Sequence, residues 1–172
     1  TMYIGMLEDP GIKKTDLTCF KLITSGGASL PVEVLNKFRE LTGVEINEGF
    51  GMTETSPQTH LNPFNGKKKP GSIGLPYPDT EVRIVDLETG TKDVPVGEPG
   101  EMLFKGPQIT KGYLNRPEET EKSIKDGWLS SGDIAYMDEE GYFFVVDRKK
   151  DLIISSGYNV YPRDIEEVFY EH

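Results

Sequence analysis

Gly49-Phe50-Gly51-Met52-Thr53-Glu54 places a hydroxyl and a carboxylate directly after an aromatic residue flanked by two glycines. Two polar runs follow further along the chain, Ser130-Ser131-Gly132-Asp133 and Asp147-Arg148-Lys149-Lys150-Asp151. Taken singly they are turn and surface chemistry, because glycine and short polar side chains are what turns are made of. Asp133 alone reads as a turn cap and Arg148 as half of a surface ion pair. Together, in this order, they read as a nucleotide site. An ionised Asp133 can accept from both hydroxyls of a ribose at once, a Gly132-Asp133 turn would present it from a strand end, and Arg148 would add a donor to the same sugar or to phosphate.

The surrounding sequence says what must hold these groups. An apolar run over 21–24 precedes Gly26-Gly27, and Pro31 opens a segment with Val34, Leu35, Phe38 and Leu41 at helical spacing that Gly43 closes. A strand over 44–47 follows, so this stretch predicts the tail of an α/β unit, with Gly49-Phe50-Gly51 as a turn. From Pro57 to Asp147, proline and glycine punctuate short apolar runs over 81–87, 101–105, 133–137 and 142–146, the pattern of an all-β meander or small barrel. Lys67-Lys68-Lys69 reads as a solvated loop, and Pro117 followed by early carboxylates as the start of a short helix. Beyond Arg148 come Leu152-Ile153-Ile154, a tight Ser155-Ser156-Gly157 turn, and a helix from near Pro162 with Ile165, Val168 and Phe169 on one face. Nothing in the chain is available to bury that face, which makes it a surface for self-association.

Acidic residues outnumber basic ones 29 to 19 in the 172-residue chain, a formal net charge of −10. That balance argues against nucleic acid or an anionic membrane as the main partner, and it means that affinity for an anionic nucleotide must come from a local site together with Mg2+. Cys19, the single cysteine, sits beside Phe20 and close to Leu22 and reads as a small buried hydrophobe; no disulfide can form within the chain. His60 and His172 belong to no metal or general-base constellation and read as structural or exposed. No apolar run approaches the roughly 20 residues needed to span a bilayer, so a cytoplasmic setting is expected.

The three motifs, with Ile23-Thr24-Ser25-Gly26-Gly27-Ala28 before them and Lys111-Gly112-Tyr113-Leu114-Asn115-Arg116-Pro117-Glu118 between them, resemble the consecutive landmarks of the adenylate-forming enzymes. That superfamily includes acyl-CoA synthetases, luciferase-like enzymes and the adenylation domains of peptide synthetases, and the wording here is nearest to medium- and long-chain fatty acyl-CoA ligases. The likeness covers essentially the whole chain, yet those enzymes are several times longer. On this likeness the chain is a fragment, without the family's upstream phosphate loop or its downstream catalytic lysine, and is expected to be inactive by itself. The fold class expected is α+β: the end of an α/β subdomain (1–56), a small distorted β-barrel subdomain (57–149), then a hinge and the first elements of a small C-terminal α+β domain (150–172).

The resemblance implies an ATP-dependent acid:CoA ligase acting through an acyl-adenylate, with ATP, CoA, Mg2+ and a carboxylic, fatty acid as its ligands. Loading of an acyl group onto a carrier protein, or a non-catalytic nucleotide-binding relative, are the alternatives. It assigns Thr53 to phosphate and Glu54 to Mg2+ as the catalytic pair, a hard oxygen ligand suiting a cation that keeps water and phosphate in its other positions. Phe50 would lie against adenine, with Gly51 and Met52 beside it, and Gly49 and Gly51 would let backbone approach the nucleotide. Gly27 and Ala28 would line the slot between adenine and the acyl group, Asp133 and Arg148 would hold the ribose, Lys150 would be the hinge, and Gly157 would belong to a loop guiding CoA. Two positions depart from the pattern. Glu48 stands where many relatives carry an amide, so that contact is not transferred, and Ser29 replaces a frequent proline.

Overall fold

The computed structural model describes residues 2–155 and 158–170. Gly157 and His172 lie outside the described residues.

α1 (Met2–Glu8) and α2 (Val32–Thr42) build the first core. α2 begins after Pro31, carries Glu33 in its first turn and Arg39 in its last, which suits the helix dipole at both ends, and stops where the Gly43 N–H donates to Arg39 O. It buries Val34, Leu35 and Phe38, and the fully buried Phe38 meets Tyr3 edge to face at 5.4 Å. Burial of such a side chain contributes about 1.5–3 kcal/mol. The Tyr3 hydroxyl also donates to Thr24 O, tying α1 to the first strand.

That strand, β1 (Ile23–Ser25), pairs in parallel with β2 (Ile46–Gly51), so α2 is the crossover that a parallel pair requires. β2 does not stop at 47. It runs on through Gly49-Phe50-Gly51 and pairs antiparallel with β3 (Gln58–Leu61), which pairs with β4 (Leu75–Pro76). The expected turn is therefore strand: Gly49 faces Leu61 and Phe50 faces His60 across the ladder. Hydrogen bonding within this sheet also continues past residue 57.

The second sheet holds β5 (Glu81–Val85), β6 (Gly100–Lys105), β7 (Ile124–Lys125), β8 (Trp128–Met137) and β9 (Phe143–Arg148). Its order is β5-β6-β8-β7, with β9 also on β8, and it curls into a half-barrel, which makes the whole a mixed helix and sheet fold of the class expected. Ile84, Met102, Phe104, Ala135 and Phe143 form its core, and Phe50 and Met52 pack onto that cluster from the first sheet. α3 (Pro117–Ser123) begins on its proline as expected.

Two expectations are corrected. Cys19 is exposed, because Phe20 and Leu22 beside it are themselves 56% and 40% exposed rather than packed inward. The lysine triplet is an ion-pair clasp. Lys67 pairs with Glu140 at 2.7 Å, Lys68 with Glu45 at 2.9 Å, and the largely covered Lys69 with Asp138 and Glu140 while lying over the Tyr142 ring. These partners are 23 to 73 positions away in sequence, which is why local composition reads the segment as solvated.

Last come the β10 (Ile153–Ser155) and β11 (Tyr158–Val160) hairpin and α4 (Pro162–Tyr170). α4 is fastened to β9 where the Arg163 N–H donates to Asp147 Oδ2 at 3.1 Å, a carboxylate set against a helix N-terminus. Its Ile165, Val168 and Phe169 are 51%, 53% and 75% exposed. Among the described residues no helix is long and apolar enough to cross a membrane.

Candidate functional site

The loop after β1, the end of β2, the middle of β8, the end of β9 and the start of α4 surround a cleft of about 940 Å³. Gly27, Ala28, Phe50, Gly51, Met52, Asp133, Arg148 and Lys150 all line it, together with Ser29 and Glu48. Residues as much as 123 positions apart are thus gathered at one opening, of a size that suits a small-molecule ligand. Thr53 and Glu54 lie just beyond, in a single 3-10 turn (Thr53–Thr55) that follows Met52, and are not part of the cleft wall.

Phe50 forms part of the cleft wall while its ring packs on Phe104 at 5.9 Å and on His60 at 6.5 Å. A ring backed in this way offers a flat apolar surface without having to be ordered by the ligand. The glycines flanking it, which also line the cleft, answer to a second constraint beside the one expected. A Cβ at Gly51 would lie 1.8 Å from the Pro57 carbonyl oxygen, and one at Gly49 would lie 2.9 Å from that of His60. Their missing side chains are thus demanded by the approach of β3.

His60 is completely buried, with Nδ1 2.9 Å from Thr59 Oγ1 and the ring 4.8 Å from that of Phe143. Nε2 has no hydrogen-bond partner among the described residues, and burial pushes the imidazole down from its ordinary value to about 3. The unfolded chain takes up this proton near pH 6.5 and the folded chain only near 3, so the neutral ring's contribution is complete above 6.5 and is lost progressively as pH falls through that window. His60→Phe is expected to flatten the acid limb of stability. Urea midpoints at pH 7 and pH 5 should draw together in the variant, and an unchanged difference between them would count against this account.

Asp133 sits in the middle of β8, where the sequence predicts a strand-end turn. Ser130 pairs with Leu103 and Ile134 with Glu101, so residues 131–133 bulge out opposite Met102 alone. Gly132 makes the bulge feasible at φ 74°, a region closed to most side chains, and its carbonyl accepts the Lys149 N–H at 2.9 Å. The Asp133 side chain is only 14% exposed, with Oδ1 3.8 Å from Arg148 Nε. Burial raises its carboxyl above the usual range, Arg148 pulls the other way, and the Glu101 charge adds to the rise. Asp133 is thus a sparsely solvated acceptor facing the cleft, which hydroxyl donors would stabilise in its ionised form.

Sequence reasoning assigned no role to three further residues. Glu101, itself almost buried, receives the Lys149 ammonium at 2.6 Å, so Lys149 is held through both main chain and side chain immediately before the exposed Lys150. Tyr113 donates its hydroxyl to Glu54 Oε1 at 2.8 Å. Glu48 accepts the Gly71 N–H at 2.9 Å, a use for a carboxylate where an amide was expected. Each contact is tertiary, and the only sequence signal was that Tyr113 falls in one of the recognisable runs.

The family model described as AMP-binding enzyme matches residues 1–114. The long-chain-fatty-acid–CoA ligase of Bacillus subtilis is 54% identical over 172 residues, which is 100% of this chain and 30% of that protein. The ligase of the same description from Haemophilus influenzae is 43% identical over 168 residues, 98% of this chain and 30% of that protein. Among solved structures, ATP-bound MatB from Rhodopseudomonas palustris matches with a TM-score of 0.90 at 38% identity, over 95% of this chain and 32% of its own. O-succinylbenzoate coenzyme A synthetase from Bacillus subtilis, in complex with ATP and magnesium ion, matches with a TM-score of 0.85 at 35% identity, over 99% and 35%. The chain spans about 30% of the length of the curated relatives it matches. With one family model covering most of its residues and identity running along its whole length, the chain belongs to the AMP-binding enzyme family.

Proposed function

We propose that the chain supplies the adenosine side of the active site of an ATP-dependent long-chain-fatty-acid:CoA ligase. The observation that carries this reading is the convergence of Phe50, Asp133 and Arg148 on one cleft from three separate strands. Phe50 offers its face to adenine and Asp133 accepts from the ribose hydroxyls, with Arg148 beside it. The acid's carboxylate oxygen forms a bond to the α-phosphorus of ATP, the bond to the β-phosphate oxygen breaks, and pyrophosphate leaves. The CoA sulfur, its proton released, then bonds to the acyl carbon, and AMP departs with the carboxyl oxygen. Gly27 and Ala28 leave room between adenine and acyl group, Thr53 donates to phosphate, and Lys150 is the hinge between the steps, with the Gly157 loop on the CoA path. Residues 1–56, 57–149 and 150–172 would belong to three subdomains of a protein of the relatives' length, in a cytoplasmic setting.

The donor set near Glu54 suits Mg2+ carried by the triphosphate. Glu54 is a single half-buried carboxylate beside the Thr53 hydroxyl, and among the described residues no group of three or more His, Cys, Asp or Glu could form a cage of its own. When bound, Mg2+ neutralises charge on the phosphate oxygens.

The test is to assay the full-length protein carrying this sequence for pyrophosphate and acyl-CoA, with a panel of acids. Asp133→Ala should weaken ATP binding by about 1.5–3 kcal/mol, the range for a hydrogen bond to a charged group, and leave acid binding unchanged. Unaltered ATP affinity in that variant, or no acyl-CoA from any fatty acid, would overturn the reading.

A further inference from the structure

The turn bearing Glu54 is gripped by a segment far away in sequence. Besides the Tyr113 hydroxyl on Oε1, 59 positions distant, the Thr110 N–H donates to the Glu54 carbonyl at 2.8 Å. The gripping segment is itself braced. The Tyr113 N–H donates to Thr120 Oγ1 at 2.9 Å, and Thr120 Oγ1 donates to Arg116 O at 3.0 Å.

A carboxylate has roughly four acceptor positions over two oxygens, so a donor at Oε1 fixes the rotation of the group and leaves Oε2 available. A free glutamate has three rotatable bonds, and ordering them before the ligand arrives removes that entropic cost from binding. We infer that Tyr113 is a positioning residue: its O–H···Oε1 hydrogen bond holds the Glu54 carboxylate in the orientation that meets the Mg2+ of bound MgATP. The inference rests on the proposed role of Glu54.

The experiment compares wild type, Tyr113→Phe, Glu54→Gln and the double variant in the full-length protein by calorimetric titration. ATP is titrated over a range of Mg2+ concentrations, and AMP is titrated in EDTA. Tyr113→Phe should weaken ATP binding in Mg2+ on the order of tenfold and move the Mg2+ midpoint upward. AMP binding in EDTA should stay within about twofold, and in the Glu54→Gln background the Tyr113 change should add less than about twofold. Tyr113→His, which keeps a ring donor, should recover part of the lost affinity. Equal losses for AMP and ATP, an effect that multiplies fully in the Glu54→Gln background, or wild-type behaviour of Tyr113→Phe beside an impaired Glu54→Gln would each remove Tyr113 from this role. A Glu54→Gln protein with normal Mg2+ dependence would instead remove the assignment of Glu54, and the role of Tyr113 with it. Should Tyr113→Phe melt far below wild type and Tyr113→His recover nothing, Tyr113 is only a brace for the fold.

Discussion

Gly51→Ala should abolish nucleotide binding and cost the protein several kcal/mol of stability. The new methyl would lie 1.8 Å from the Pro57 carbonyl oxygen, 2.6 Å from Gln58 Cα and 2.7 Å from the Pro57 carbonyl carbon. All three are main-chain atoms, so no side chain can turn aside to make room. Overpacking of a core commonly costs about 1–3 kcal/mol when side chains can adjust, and here β2 and β3 must part instead. Their separation would break the pairing of Gly51 with Gln58 and shift Phe50 and Met52, both of which line the cleft. Gly5→Ala is the control: nothing lies within 4 Å of its Cβ, and it sits inside α1, where alanine favours the helix by roughly 0.5–1 kcal/mol. Urea unfolding and AMP titration of both variants give the answer, and a Gly51→Ala protein with wild-type stability and affinity would show that β2 and β3 do not approach this closely.

On the proposed reading, Lys150→Pro in the full-length protein should separate adenylate formation from thioester formation. The Asp151 N–H donates to Arg148 O at 3.0 Å, which makes Lys150 the exposed middle of a turn between β9 and β10. Proline would fix φ near roughly −65° at a residue that, on the proposed reading, must adopt two backbone conformations. Pyrophosphate exchange, which needs only the first, should fall a few-fold, whereas thioester formation should drop on the order of 100-fold, the penalty that misplacement of about 1 Å can bring. Equal losses in the two assays would make Lys150 a structural residue and not a pivot.

What the sequence disclosed about this molecule was its local punctuation. Pro31 and Gly43 bracket α2, Pro117 starts α3, and the apolar runs over 81–87, 101–105 and 142–146 each became a strand. The residue types around the cleft were legible for the same reason, since chemistry-bearing side chains come in recognisable runs. What was hidden is whatever depends on a partner strand. Gly49-Phe50-Gly51 has the composition of a turn and becomes strand because His60 and Leu61 lie opposite. The Asp133 bulge exists because β6 offers one residue against three, a count that no reading of β8 alone contains. Lys69 looks solvated until the β8–β9 turn brings Asp138 and Glu140 to it. Glu54 looked free to meet a cation, and its Tyr113 contact appears only when the chain has folded back across 59 positions.

The Gly132 carbonyl that receives the Lys149 N–H lies one residue before Asp133, and Lys149 lies one residue before Lys150. Asp133 and Lys150, the proposed ribose acceptor and the proposed pivot, are therefore each one residue away from this hydrogen bond, the first within β8 and the second in the turn that follows β9. In mechanical terms the proposed fulcrum would stand almost on the ligand, with a negligible lever on the nucleotide side. The opposite arm carries β10, β11 and α4, whose nine residues alone extend about 13 Å. On the proposed reading, a rotation at Lys150 would release the Arg163–Asp147 hydrogen bond and carry away an arm whose Pro162, Arg163 and Glu166 line the cleft, while Asp133 barely moves and a bound adenylate stays seated.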